Sequence, residues 1–200
     1  MSDIRAYTFD EFANVVTSFH GTAAPGVMIG GYMVEMALRN LPPDGLYDAI
    51  AETTKCLPDA IQLLTPCTIG NGWLKIIDTT RFAMSMYDKT NGEGVRVYID
   101  SDKVAARKEI NYWYLKLGPK KEQDINVLLN EIKEAGTSIL GLQQVKVDLK
   151  YFEKKEKSSI VLCPTCHEAY RAIGGSPCPA CNSALLPYLY CQDIEDKKAV

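Results

Sequence analysis

Seven cysteines and two histidines carry most of the chemistry open to this chain of 200 residues. Four of the cysteines, Cys163, Cys166, Cys178 and Cys181, form two Cys-x-x-Cys pairs in CPTCHEAYRAIGGSPCPAC. A Cys-x-x-Cys turn aims two thiolates at one metal ion, and two such turns complete a tetrahedral zinc shell with no position left for water. The spacing therefore predicts structural zinc rather than a catalytic metal. CPTCH also fits the pattern of c-type haem attachment, but that reading needs export and leaves the second pair without a purpose. A dithiol redox motif is a further reading, but two matched pairs in so short a segment favour metal. On the zinc reading His167 is a spare surface residue, and Cys191 packs or lies in the tail.

A second stretch, KCLPDAIQLLTPCTIGNGW at 55–73, brackets an apolar run with Cys56 and Cys67. Cys56 sits just before a helix, where unpaired N–H groups favour a thiolate. Asp59 in the first helical turn either opposes that effect or simply complements the helix end. About eight helical residues put Cys67 ~12 Å from Cys56, beyond the roughly 7 Å a disulfide allows. Each thiol must meet something else, such as His20 or residues of a second subunit, or be a small buried apolar group. His20 before Gly21 reads as a metal ligand, a general base or the polar group of a turn. Gln62 lies one turn after Asp59 and shares its face. CTIGNG, with Thr68, could offer N–H groups to an anion, or be a tight entry into a strand.

The elements that must position these residues follow from periodicity. TFDE has capping-box spacing from Thr8 to Glu11, so a helix runs to about Phe19. From Pro25 an almost wholly apolar helix continues to LPP; Gly30 and Gly31 suit it to close packing, centrally or against a partner subunit. LYDAIAETT reads as a strand and Leu57–Thr65 as a helix with Pro58 in its first turn. WLKIIDTT, FAMSMYDK and GVRVYID read as strands, the last two joined by a hairpin at TNGEG. SDKVAARKEINYWYLKL is expected as one helix capped by Ser101, and KEQDINVLLNEIKEAG as another, closed by Gly136. LQQVKVDL would add a strand. Helices, then a meander, then helices define an α+β core with an antiparallel β-meander sheet.

The charged break FEKKEKSS divides the chain into a core at 1–152, a linker at 153–159 and a zinc module with tail at 160–200. Some forty residues cannot hold together on apolar packing alone, so the module needs its metal; a treble-clef or ribbon-like knuckle is expected. The chain has 46% hydrophobic and 24% charged residues and a net charge of −3. That composition is globular, and its charge balance argues against nucleic acid as a partner. The opening MSDIRAYTFDEF is polar and no window is long enough to span a membrane, so the expected location is cytoplasmic.

His20, Pro25-Gly26, Cys56, Asp59-Ala60-Ile61-Gln62, Cys67-Thr68 and Asp78, in that order, resemble the FmdE family of formylmethanofuran dehydrogenase proteins. Its members typically read His-Gly-His-x-Cys-Pro-Gly, Cys-x-x-Asp-Ala-Ile-Gln and Thr-Gly-Cys-Thr-x-Gly-Lys-Gly. Some carry an appended zinc finger. The resemblance implies an α+β core, usually a homodimer, with a cleft that includes His20, Cys56, Asp59, Gln62, Cys67 and Thr68. It also implies association with a molybdenum or tungsten enzyme that reduces carbon dioxide to the formyl group of formylmethanofuran, as in methanogenesis. This sequence departs from the pattern with Thr22 for the second His, Ala24 for the first-motif Cys, Pro66 for Gly and Asn71 for Lys. Thr80-Arg81 stand where Gly-Lys is common. Alanine cannot coordinate a metal and threonine is a poor ligand for a soft one. Two expectations follow: an accessory or binding protein that does not itself turn over, or a small metal- or thiol-dependent enzyme built on His20, Cys56 and Cys67.

Overall fold

A computed structural model describes residues 4–152, 159–173 and 175–182. They divide into two units, one up to Tyr151 and one from Phe152 onward.

In the first unit, α1 (Phe9–His20) opens with the expected capping box. The Thr8 hydroxyl accepts from Glu11 N–H, and the Glu11 carboxylate accepts from Thr8 N–H at 2.8 Å. The helix ends where Gly21 turns left-handed, at φ 90°. After a short loop, α2 (Pro25–Arg39) runs through the middle of the core. Val27, Met28, Ile29, Met33 and Val34 are fully buried, and each such side chain contributes about 1.5–3 kcal/mol before entropy is counted. Its near all-round apolarity is thus met within the chain. A Cβ on Gly30 would lie 2.6 Å from the Ala60 Cβ, so only glycine lets α3 (Leu57–Leu64) pack so closely on α2.

The sheet has the order β2-β1-β3-β4-β5, with β1 Tyr47–Ala51, β2 Leu74–Ile76, β3 Ala83–Asp88, β4 Glu93–Ile99 and β5 Leu140–Lys146. The face bearing Ala49, Ala51, Met84, Met86, Val95 and Val97 is buried in the core that contains α2. Three of its four pairings are antiparallel. β2 departs from a pure meander: it runs parallel to β1, because α3 carries the chain back between them.

Two helices differ from the periodicity reading. The segment expected as one helix at 101–117 is two, α4 (Ser101–Val104) and α5 (Lys108–Leu115), and Asp100 rather than Ser101 caps the first. The later helix starts only at Ile125, where Asp124 caps α6 (Ile125–Ala135) by accepting from Asn126 N–H. An aspartate preceding the helical run competes well for the orphan N–H groups, and in both cases it is the aspartate that sets the start. β5 begins two residues earlier than expected, at Leu140.

The second unit holds a hairpin, β6 (Ile160–Leu162) and β7 (Ala169–Arg171), and a short helix, α7 (Pro179–Asn182). Cys191 lies outside the described residues. Among those described, no helix is long and apolar enough to cross a membrane.

Candidate functional sites in the core and the finger

The finger places its first cysteine pair between β6 and β7 and its second at the start of α7. The four sulfurs lie within 4.8 Å of one another, and Cys166 Sγ is 3.8 Å from Cys178 Sγ. A tetrahedron with ~2.3 Å metal–sulfur bonds has edges of about 3.8 Å, so the donor set fits zinc. Backbone N–H groups in the two turns, first that of Cys166 and then that of Cys178, pull the Cys163 thiol down to about 6. The sulfurs crowd Cys181 in the opposite direction, to about 12, with Cys178 the main cause. The Cys163 thiolate is thus prepared for metal by local backbone, whereas Cys181 needs the ion to share its charge. His167 is exposed.

In the core the loop before α3 makes an uncommon turn. Cys56 has φ 55° and ψ −47°, and Leu57 N–H donates to the Lys55 carbonyl across it. That is a γ-turn with positive φ at its centre, a rare and strained conformation for a residue with a side chain. The thiol packs over α2: a Cβ on Gly26 would lie 2.8 Å from Cys56 Cβ and 3.1 Å from its sulfur. Pro25-Gly26 therefore serves Cys56 by staying out of its way. Asp59, three residues on, accepts from His20 Nδ1 at 2.6 Å. The pair is about one-third exposed. A neutral His20 held this way presents Nε2 as an acceptor, the geometry of a base with its orienting carboxylate.

Ion pairs to the buried Glu52 fix the approach to that turn. Glu52, at the end of β1, accepts from Arg96 at 2.5 and 3.0 Å, and Arg81 lies 2.8 Å away. The Arg96 hydrogen bond is the main cause that holds the Glu52 carboxyl below its ordinary value. Beside it Thr80 sits at φ 61°, a left-handed position that a glycine fills without strain.

Cys67 is elsewhere. It lies beyond the far end of α3, only 1% exposed, with its thiol donating to the Tyr47 carbonyl at 3.4 Å. Burial pushes the thiol up. Gln62 and Thr68 are occupied at the same end. Gln62 Oε1 accepts from Ile69 N–H, and Thr68 and Asn71 each accept a backbone N–H from the other. Asn71 also accepts from Trp73 N–H and donates to the Pro66 carbonyl. The loop uses these N–H groups on its own side chains, so CTIGNG is a tight strand entry. Asn71 does what a lysine could not, since lysine has no acceptor.

The expected cleft is thus divided: His20, Cys56 and Asp59 gather at one end of α3, Gln62, Cys67 and Thr68 at the other. The loop at Thr22, Ala24 and Pro25 walls a cavity of about 440 Å³ with Trp113, Gln123 and Leu128. Phe82 touches the Gly26 position and stands edge-on to Trp113, 6.3 Å between ring centres, joining this cavity to the Cys56 turn. Sequence reasoning missed Trp113 and Phe82. Both lie in segments that periodicity reports only as helix and strand.

An α+β core with a strained cysteine turn, followed by a four-cysteine finger of hairpin and helix, defines a two-unit protein with a structural zinc module. The chain belongs to the FmdE family. The family model described as "FmdE, Molybdenum formylmethanofuran dehydrogenase operon" matches residues 19–147, and the FmdE treble-clef zinc finger matches 154–188. The finger is accordingly a treble clef. A solved structure, that of a tungsten formylmethanofuran dehydrogenase FmdE-like protein from Syntrophus aciditrophicus, is 51% identical. It superposes with a TM-score of 0.86 over 94% of this chain and 100% of its own. A protein of Archaeoglobus fulgidus, described as a probable S-adenosyl-L-methionine-binding protein, is 29% identical over 150 residues. That match covers 68% of this chain, and this chain spans only 40% of that relative's length.

Proposed function

We propose that this is an accessory or binding protein of one-carbon metabolism, related to the FmdE component of molybdenum or tungsten formylmethanofuran dehydrogenase. It works in the cytoplasm as a homodimer and holds its ligand in the core without turning it over. The observation that carries this reading is the loop at Thr22–Pro25. Where the family pattern has a second His and a Cys, Thr22 and Ala24 wall an apolar cavity beside Trp113. Such a wall accepts an organic ligand better than a metal ion. The description of the Archaeoglobus relative makes S-adenosyl-L-methionine the first ligand to titrate, with Trp113 offering a stacking face.

Metal content of the full chain tests it. About one zinc per chain is expected, with the same value in Cys56→Ser and a value near zero in the double variant Cys163→Ser/Cys166→Ser. If the double variant keeps a metal that Cys56→Ser removes, the core is a metal site and the binding reading fails. A second reading, a small thiol-dependent enzyme, has one observation in its favour: the strained turn at Cys56 beside the His20–Asp59 pair. Backbone strain of this kind collects at working residues. On that reading Cys56→Ser abolishes turnover and leaves the fold intact.

A further inference from the structure

At the other end of α3 lies a second cavity, about 170 Å³, walled by Leu38, Leu64, Cys67, Trp73 and Met86. Its charged lining residues are Arg5 and Lys89, both cationic. The Lys89 ammonium sits 3.4 Å from the centre of the Trp73 ring and is about one-quarter exposed. It lies 3.2 Å from Asp48 Oδ1, but that buried oxygen accepts no hydrogen bond. The other carboxylate oxygen is taken by Lys75 at 2.5 Å, and Lys75 also holds the Tyr87 hydroxyl. One carboxylate is therefore shared between two ammonium groups at the cavity wall. Among the described residues Lys89 Nζ makes no hydrogen bond.

An ammonium about one-quarter exposed and ion-paired on one side still has donors for a second acceptor. An anionic oxygen would supply a charge-assisted hydrogen bond, and the apolar wall would take whatever carbon skeleton it carries. A cavity of roughly 150 Å³ admits one benzene ring, which sets the size of that skeleton. We propose that this cavity binds a small organic carboxylate. Lys89 receives the head, exposed Arg5 adds charge nearby, and a body of about one ring lies between Trp73, Leu64 and Met86. The thiol of Cys67 is a wall of this site and takes no part in chemistry. The site is independent of the Cys56 end of α3, so its test and that of the binding reading fail separately.

Benzoate is the probe, titrated into the full chain carrying Trp113→Phe so that Trp73 alone reports. The expected result is a saturable change in Trp73 emission and a rise in melting temperature. Benzyl alcohol, with the same ring and no charge, should bind at least about ten-fold more weakly, and acetate likewise. Lys89→Gln should abolish the preference for benzoate over benzyl alcohol. The comparison of the two ligands needs no substitution at Lys89, so it decides the matter even if that variant folds poorly. No saturable response up to roughly 20 mM benzoate, or equal responses to benzoate and benzyl alcohol, would overturn the proposal. So would emission that follows protein concentration instead, which would mean that a second copy covers Trp73.

Discussion

The finger cysteines and the core cysteines put the same side chain to opposite uses. In the finger four sulfurs close on one point, each within 4.8 Å of the rest, and the closed shell leaves nothing to react. In the core Cys56 and Cys67 stand at opposite ends of α3, one over the Gly26 position in a strained turn, the other sealed among apolar residues. A closed set of thiols holds a fold together, whereas a thiol held in an unfavourable backbone conformation adds strain that the rest of the core must offset.

The largest test of this contrast removes the finger's metal. Structural zinc supplies roughly 10–16 kcal/mol to such modules. Cys178→Ser, or a strong chelator, should therefore unfold the β6–β7 hairpin while the core keeps its melting transition, as read by amide exchange across both units. Loss of the core along with the finger would show that the two units are not energetically separate.

Next in size is the ion-pair cluster that fixes the chain ahead of Cys56. Arg96→Met leaves Glu52 buried with Arg81 as its remaining cation, and removing one partner of a buried pair typically costs about 3–5 kcal/mol. The same cluster sets an acid limit. A carboxyl whose folded pKa is depressed stabilises the fold above its unfolded value, about 4.3, and loses that contribution as pH falls through the folded value. Urea unfolding of the parent chain should therefore weaken below about pH 4.5. Arg96→Met should flatten that dependence; an unchanged pH profile would remove Glu52 as its source.

Those two regions also differ in how legible they were. The finger could be read from spacing because all four ligands fall within nineteen residues and each pair is closed by a local turn. The α+β class, the α1 capping box and the hairpin before Glu93 were likewise local signals. The core site is not local. His20 meets Asp59 across thirty-nine positions, Glu52 meets Arg96 across forty-four, and Lys75 meets Asp48 across twenty-seven. No periodicity announces such partners, and it was the ordered resemblance to a family that brought His20, Cys56 and Asp59 together. The same resemblance grouped Cys67, Gln62 and Thr68 with them. A helix long enough to forbid the disulfide is also long enough to divide the cleft.

Cys67 and Cys56 should answer oppositely to substitution. Cys67→Ser puts a more polar group in a buried wall and is expected to cost about 1–3 kcal/mol. In the intact protein its thiol, raised by burial and 1% exposed, should resist iodoacetamide until global unfolding. Cys56 should be the faster of the two to alkylate, because its residue is partly exposed and heads a helix.

The smallest effect carries the most information about function. At φ 55° and ψ −47° Cys56 carries a conformational strain of order 1–3 kcal/mol that glycine does not. Cys56→Gly should therefore be more stable than Cys56→Ala by about 1 kcal/mol in urea titration, although both remove the same thiol. If it is, the turn is strained by its side chain, and the same backbone would be reached more easily without the cysteine. The thiol is then there for what it contacts rather than for the fold. If glycine and alanine are equally stable, the turn is comfortable with a side chain, and the observation favouring a thiol-dependent enzyme over a binding protein disappears.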